Sequence, residues 1–184
     1  LHDSTQWFWL YSPEKQQLAI QTDEPEPYTL PYKSQQLVNI SFTKQPLDIE
    51  DASLYQSIVE SLQSYPAESL KASPEQVAVN AVAFKRFGCP QMPQSWHFQK
   101  SDLEQWSRER TLCELNSGFD QGLFLILDID DEFASCLLMS SSMQVSAIKT
   151  LKQFQVMKVL NNRLLPATID LAASTQKDWT QKLA

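Results

Sequence analysis

His97, the acidic run Asp128-Ile129-Asp130-Asp131-Glu132 and three cysteines are the groups in this 184-residue chain whose types and spacing invite a search for bond-making chemistry. His97 stands between Trp96 and Phe98 with no second histidine, carboxylate motif or cysteine close by, and a histidine so placed is more often structural than catalytic; the other histidine, His2, stands at the terminus. In the acidic run, alternation puts Asp128 and Asp130 on one strand face, where a divalent ion could sit, although a solvated strand end and turn is the simpler reading. Cys89, Cys113 and Cys136 are odd in number, widely spaced and free of any Cys-x-x-Cys pattern. They read as reduced thiols, not as a disulfide framework or a zinc site. Cys89 follows a helix C-terminus, where the dipole raises a thiol pKa. No nucleophile elbow, zinc-protease or EF-hand pattern occurs. With only Gly88, Gly118 and Gly122 in the chain, no glycine-rich phosphate loop can be built. The expectation is a protein that is not an enzyme and has no cofactor and no metal. The alternative is a β-barrel ligand-binding or enzymatic module using His97 and the Asp128 cluster, which requires the two to meet at one cleft.

Binding chemistry is better represented. In Pro90–Phe98, PQMPQSWHF, two prolines three apart each fix φ and push the preceding residue to extended geometry. Gln91, Met92 and Gln94 are expected on a stiff loop backed by Trp96; a plain crossover from helix to strand is the competing reading. The net charge of −7 makes nucleic acid an unsuitable partner for the surface as a whole. Two windows nonetheless lack acids: Gln76–Ser101, with Lys85, Arg86 and Lys100, and Phe133–Ile169, with Lys149, Lys152, Lys158 and Arg163. A local basic patch of this kind can receive an acidic peptide; a barrel module binding nucleic acid through the second window is a third reading, opposed by the overall charge.

The elements that must position these groups follow from pattern. Hydrophobic residues at 42% and charged residues at 20% describe a soluble globular chain with a real core. No apolar run approaches membrane-spanning length and no signal pattern opens the chain, although Leu1 stands where an initiator Met would, so the start reads as trimmed or altered. Trp7–Tyr11 and Gln17–Ile20, joined by Ser12-Pro13-Glu14-Lys15, predict an opening hairpin. Trp7, Trp9 and Ile20 suit core packing better than an apolar pocket. Gln36–Phe42 alternates like a strand. Leu54, Tyr55, Ile58, Val59 and Leu62 recur at helical spacing, ended by Tyr65-Pro66. A second helix opens on a Ser73 cap with Pro74 and Gln76, buries most of its circumference from Val77 to Phe87, and stops at Gly88 as a left-handed cap. Strands are predicted over Ser95–Gln99, Thr111–Leu115, Leu123–Asp130, Phe133–Met139 and Gln144–Ile148, with a turn at Asp130-Asp131. Val156–Leu160 and Arg163–Ala167 read as a hairpin about Asn161-Asn162, in preference to a helix over Gln155–Leu165. Ser174–Ala184 could form a loose terminal helix. The fold class is α+β: a mixed α/β N-terminal region (1–98) around a buried helix, then a C-terminal (99–184) twisted antiparallel β-barrel-like region.

The nonapeptide PQMPQSWHF resembles the PQMPxSWHF segment of the bacterial Z-ring-associated protein C family, ZapC. Trp7-x-Trp9 followed by Tyr11, Leu54-Tyr55, Asn80-Ala81, Cys136-Leu137-Leu138 and the pattern Asn161, Arg163, Leu164, Pro166 agree with that family in order and spacing over nearly the whole chain. The resemblance implies a cytoplasmic cell-division accessory protein at the mid-cell ring. Such a protein binds the tubulin-like GTPase FtsZ, promotes lateral bundling of its filaments, stabilises the Z-ring and lowers GTP turnover, without catalysis of its own. It implies the FtsZ polymer as partner, with its acidic C-terminal peptide as the segment held, and a monomer or weak dimer. The partner-binding residues expected are Arg86, Gln91, Met92, Gln94, Trp96 and Lys100, with a second contact through Lys149, Lys152, Lys158 and Arg163. Cys89 and Gln94 stand where lysines can flank the motif, so affinity or its salt dependence is expected to be weaker here; Asp23–Pro46 matches poorly.

Overall fold

A computed structural model describes residues 6–103 and 105–171; His2 and the terminal helix expected over Ser174–Ala184 lie outside them. The fold is α+β and forms two compact units, Leu1–Ser61 with Pro74–Pro90, and Leu62–Ser73 with Gln91–Ala184. The division thus falls at 90/91, not at 98/99, and the segment 62–73 joins the second unit.

In the first unit the aromatic run of the sequence becomes β1 (Phe8–Ser12), which pairs antiparallel with β2 (Gln17–Gln21) as the opening hairpin. The short strands β3 (Tyr28–Thr29) and β4 (Lys44–Pro46) flank them in the order β3-β2-β1-β4. Helix α1 (Ile49–Gln63) begins with Glu50 and Asp51 in its first turn, as the dipole favours. Helix α2 (Pro74–Phe87) is buried at every residue from Val77 to Phe84. Such a helix cannot be amphipathic, which is why its apolar residues run round its circumference. Trp9 is fully buried and meets Phe87 edge-on at 5.2 Å. Its indole N–H donates to the buried Asp51 carboxylate at 3.0 Å.

Two expectations fail here. Gln36–Phe42 is not a strand. Ser34–Gln36 is a 3-10 turn, and only Leu37 pairs, as an isolated antiparallel bridge with Gly88. Val38 N donates to Phe87 O at 2.7 Å, and Cys89 N to Gln36 O at 2.8 Å. The alternation therefore marks a chain laid against the end of α2. Nor does Gly88 end that helix as a left-handed cap: among the described residues the glycine with positive φ is Gly118, at 81°. Gly88 is needed for close approach instead, since a Cβ there would lie 2.5 Å from Phe84 O.

The second unit holds β5 (Leu112–Asn116), β6 (Gln121–Ile129), β7 (Phe133–Leu138), β10 (Val156–Leu160) and β11 (Leu165–Pro166), after β8 (Ser142–Gln144) and β9 (Thr150–Lys152) have formed a separate two-stranded ribbon. The sheet order is β10-β7-β6-β5-β11 and all pairs are antiparallel. It is an open sheet; β10 and β11 are its two edges, so the barrel is not closed. A bulge between Ile126 and Asp128 adds local twist. Phe124, Leu115, Leu138, Met143, Val159 and Phe98 pack its core. Cys113 and Cys136 meet within it with unbonded sulfurs 3.9 Å apart, and burial pushes the Cys113 thiol up.

Three further readings are corrected in this unit. Asn161–Arg163 is a 3-10 turn, and β11 pairs with β5 instead of returning along β10. Neither the hairpin nor the rival helix forms, because Leu164 is drawn into the core and carries the chain across the sheet. Ser95–His97 is a 3-10 turn, not a strand. The strand placed at Gln144–Ile148 is displaced to β8, with Ser146–Lys149 turning the chain into β9. Among the described residues no helix is long and apolar enough to cross a membrane.

Candidate partner-binding loop

The proline segment reaches its shape by serving the sheet edge. In an antiparallel edge strand every second residue directs its N–H and C=O away from the sheet, and these groups need partners. On β10 the outward set is Val156, Lys158 and Leu160, and residues 91–95 meet it. Gln91 Nε2 donates to Val156 O at 3.0 Å, Gln94 N to Lys158 O at 2.8 Å, and Leu160 N to Ser95 Oγ at 2.8 Å. Pro93, between Gln91 and Gln94, has no N–H to strand. A side-chain amide, one backbone N–H and a hydroxyl therefore do the pairing that a regular sixth strand would do through its backbone alone.

That anchoring leaves two large apolar side chains outside. Met92 is 82% exposed and Trp96 is 73% exposed, while Ser95 and Phe98 are buried on either side of Trp96. The loop is thus pinned at Gln91, Gln94, Ser95 and Phe98, and presents Met92 and Trp96 from fixed backbone.

The second basic window arrives at the same loop. Lys149 Nζ donates to Gln94 Oε1 at 3.1 Å, and Arg163 Nε donates to Ser95 O at 3.1 Å. Lys158 supplies the carbonyl that Gln94 N meets, and its ammonium lies over the Phe133 ring at 5.1 Å. The partners of Lys149 and Arg163 are neutral, so both cations keep their charge at the loop. Ile148, next to Lys149 in the chain, is 98% exposed. Burial, helped by the Lys149 ammonium, holds His97 below the usual imidazole range.

Other expected residues go elsewhere. Arg86 lies in the first unit, where its guanidinium donates to Asp48 Oδ2 at 2.6 Å and reaches Asp51 Oδ1 at 3.4 Å; its charge is spent there. Lys100 and Lys152 are exposed, with no side-chain partner among the described residues. In the acidic run, Asp130 Oδ1 accepts from Glu132 N and Phe133 N and so builds the β6–β7 turn, which holds its carboxyl below the usual range. Asp131 pairs with Arg108. The charged group that acts on His97 is Lys149, not a carboxylate of this run. Ser95 and Ile148 were missed by sequence reasoning. Ser95 could have been found only by knowing that β10 is an edge strand, and Ile148 carries no pattern signal.

Replacing Ser95 with alanine leaves the part-buried Leu160 N–H without its acceptor. The expected cost is about 1–3 kcal/mol, with accelerated hydrogen exchange at the Leu160 amide. Unchanged exchange and an unchanged melting curve would show that the hydroxyl does not hold the loop.

Comparison with known proteins adds an independent line. Residues 1–88 match the family model for the N-terminal part of cell-division protein ZapC, and residues 90–170 match that for its C-terminal part. The chain is 56% identical over its full length to a cell division protein ZapC of Idiomarina loihiensis, all of which is covered. It is 31% identical to one from Aeromonas hydrophila over 92% of this chain and 94% of that protein. A third, from Shewanella frigidimarina, is 32% identical over 87% of this chain and 90% of its own.

Proposed function

The chain belongs to the ZapC family of cell-division proteins, and from that premise we propose that it binds FtsZ, bundles its filaments laterally and stabilises the Z-ring, acting at mid-cell in the cytoplasm without catalysing a reaction. The observation that carries this reading is the pair Met92 and Trp96, held out from a backbone fixed at both ends. Tryptophan is enriched among the residues that dominate interface energies, and methionine adapts to the shape of an apolar anchor. Because the loop is already ordered, binding costs little further conformational entropy. The uncompensated charges of Lys149 and Arg163 suit the acidic C-terminal peptide of FtsZ, whose apolar anchors would cover Met92 and Trp96.

One contact per molecule cannot cross-link filaments. Bundling therefore needs a second contact or a weak dimer, and linked weak sites gain from their effective concentration. Lys100, Lys152 and Lys158 remain available for such a contact, whereas Arg86 serves its own unit.

The test is sedimentation of GTP-polymerised FtsZ with this protein, using full-length FtsZ and FtsZ lacking its C-terminal peptide. The protein pellets with the first and stays in the supernatant with the second. Equal pelleting with both would remove the tail as the segment bound; no pelleting with either would remove FtsZ as partner.

A further inference from the structure

We propose that the partner surface of the second unit extends beyond the 91–96 loop to two further turns, and that Phe119 in the β5–β6 turn and Ile148 in the β8–β9 turn are buried against apolar surface of the same partner. The inference rests on FtsZ being that partner. Among the described residues of the second unit, the four most exposed large apolar side chains are Ile148 at 98%, Met92, Trp96 and Phe119 at 59%. Single exposed apolar residues are ordinary on any surface; a group of them at one end of one core is not.

Hydrogen bonds tie the three segments into a circuit. Gln99 N donates to Asn116 O at 2.8 Å, and the Gln99 amide lies against Gly118. Ser117 Oγ donates to Gln144 O at 2.6 Å, and Gln144 N donates to Asp120 Oδ2 at 3.2 Å. Lys149 Nζ returns to Gln94 Oε1 at 3.1 Å. Phe98, Leu115, Val145 and Leu151, which flank these segments, belong to one buried cluster. The segments therefore cap one end of that core, with their exposed side chains on its outer side. With about 3.8 Å between consecutive Cα atoms and no more than two side chains bridging a link, Phe119 and Ile148 each lie within about 25 Å of Trp96. A standard interface of about 800 Å² per partner is roughly 30 Å across, so one partner can cover them all.

Both turns are ordered before binding. Val145 N and Ser146 N donate to Lys149 O, and Ile148 N donates to Ser146 Oγ; Ser117 Oγ accepts from Phe119 N and Asp120 N. Little conformational entropy is therefore lost when a partner settles on them. Lys149, bonded to the neutral Gln94 amide, stands beside Ile148 and meets an acidic group next to the apolar contact. Asp120, the acid within these turns, has its two carboxylate oxygens engaged by Gln121 N and Gln144 N.

The test is a sedimentation titration with GTP-polymerised FtsZ. Ile148→Ser is expected to weaken association about tenfold, and Ile148→Ser with Phe119→Ser about 30-fold, with unchanged melting curves. Ile148→Leu, which keeps the apolar volume, should bind within about twofold of the unaltered protein. Ile49→Ser, at an isoleucine 89% exposed in the first unit, is the control and should leave binding unchanged. Undiminished binding by the double variant overturns the proposal, while pelleting of the unaltered protein still upholds FtsZ as partner. A loss with Ile148→Leu as large as with serine, or an equal loss with Ile49→Ser, also overturns it, because the side chain at this turn would then not be what FtsZ covers. No pelleting by the unaltered protein overturns the FtsZ reading and the proposal with it.

Discussion

Met92→Ala combined with Trp96→Ala abolishes co-sedimentation with GTP-polymerised FtsZ and leaves the fold intact. Both side chains are large, apolar and outside the core, and no hydrogen bond that pins the loop passes through either of them. Substitutions at such positions usually change stability by less than about 0.5 kcal/mol, so the melting curve should not move. Binding should respond strongly, because truncating a central interface tryptophan costs about 2 kcal/mol or more. Trp96→Ala alone is therefore expected to weaken association by on the order of 30-fold. The methionine contributes less, and the double change should take the complex below what pelleting detects. Pelleting that survives the double variant would place the FtsZ contact elsewhere on the molecule. Pelleting lost together with the native melting transition would mean that the side chains support the fold, contrary to their exposure.

The same loop shows where the charges act. Lys149 and Arg163 are 55 and 68 positions from their hydrogen-bond partners Gln94 and Ser95, yet they hold the loop through neutral oxygens. A cation bonded to a carbonyl or an amide keeps its field, whereas one bonded to a carboxylate loses most of it beyond the pair. This distinguishes Lys149 from Arg86, whose charge is met by Asp48 and Asp51. Acid-free windows in a sequence count both alike, since the carboxylates that neutralise Arg86 lie 38 and 35 residues away.

Local signals were legible and long-range ones were not. The opening hairpin, both helices and strands β5, β6, β7 and β10 each follow from a period contained within a few residues, and the structure has them with small shifts in their ends. The failures share one cause. Gln36–Phe42 alternates but finds no full strand to pair with, Asn161-Asn162 has turn residues but its chain pairs with β5, and Ser95–Gln99 has strand-forming residues but turns at once. In each case the deciding partner is distant in sequence, and strand propensity says only that a residue fits a pleated surface, not which strand supplies it. Trp96, expected to back the loop, stands exposed beside it, whereas the exposure of Met92 followed from the proline spacing. The reason the loop is rigid, its seat on the edge of β10, did not.

Gly88→Ala is expected to be the most damaging single-methyl change in the first unit. A Cβ at this position would stand 2.5 Å from Phe84 O and 2.8 and 2.9 Å from carbons of the Phe84 ring. The oxygen cannot retreat freely, because it accepts the Gly88 N–H at 2.8 Å and belongs to the last turn of α2. The ring cannot retreat either, since Phe84 is buried and meets Tyr32 edge-on at 5.3 Å. Moving the Gly88 backbone instead would disturb its bridge to Leu37 and the flanking bonds from Val38 N to Phe87 O and from Cys89 N to Gln36 O. Overpacking of this kind costs about 1–3 kcal/mol, and more where backbone is trapped; at this chain length that is a fall in melting temperature of roughly 2–12 °C. Gly118→Ala supplies the contrast. Its φ of 81° strains any side chain, but a Cβ there meets only the far end of Gln99, at 3.1 Å, so its cost should be about 1 kcal/mol. If Gly88 served as a left-handed cap, the two substitutions would cost about the same; close approach requires Gly88→Ala to be clearly the worse, and thermal melts of the two variants side by side decide between these accounts.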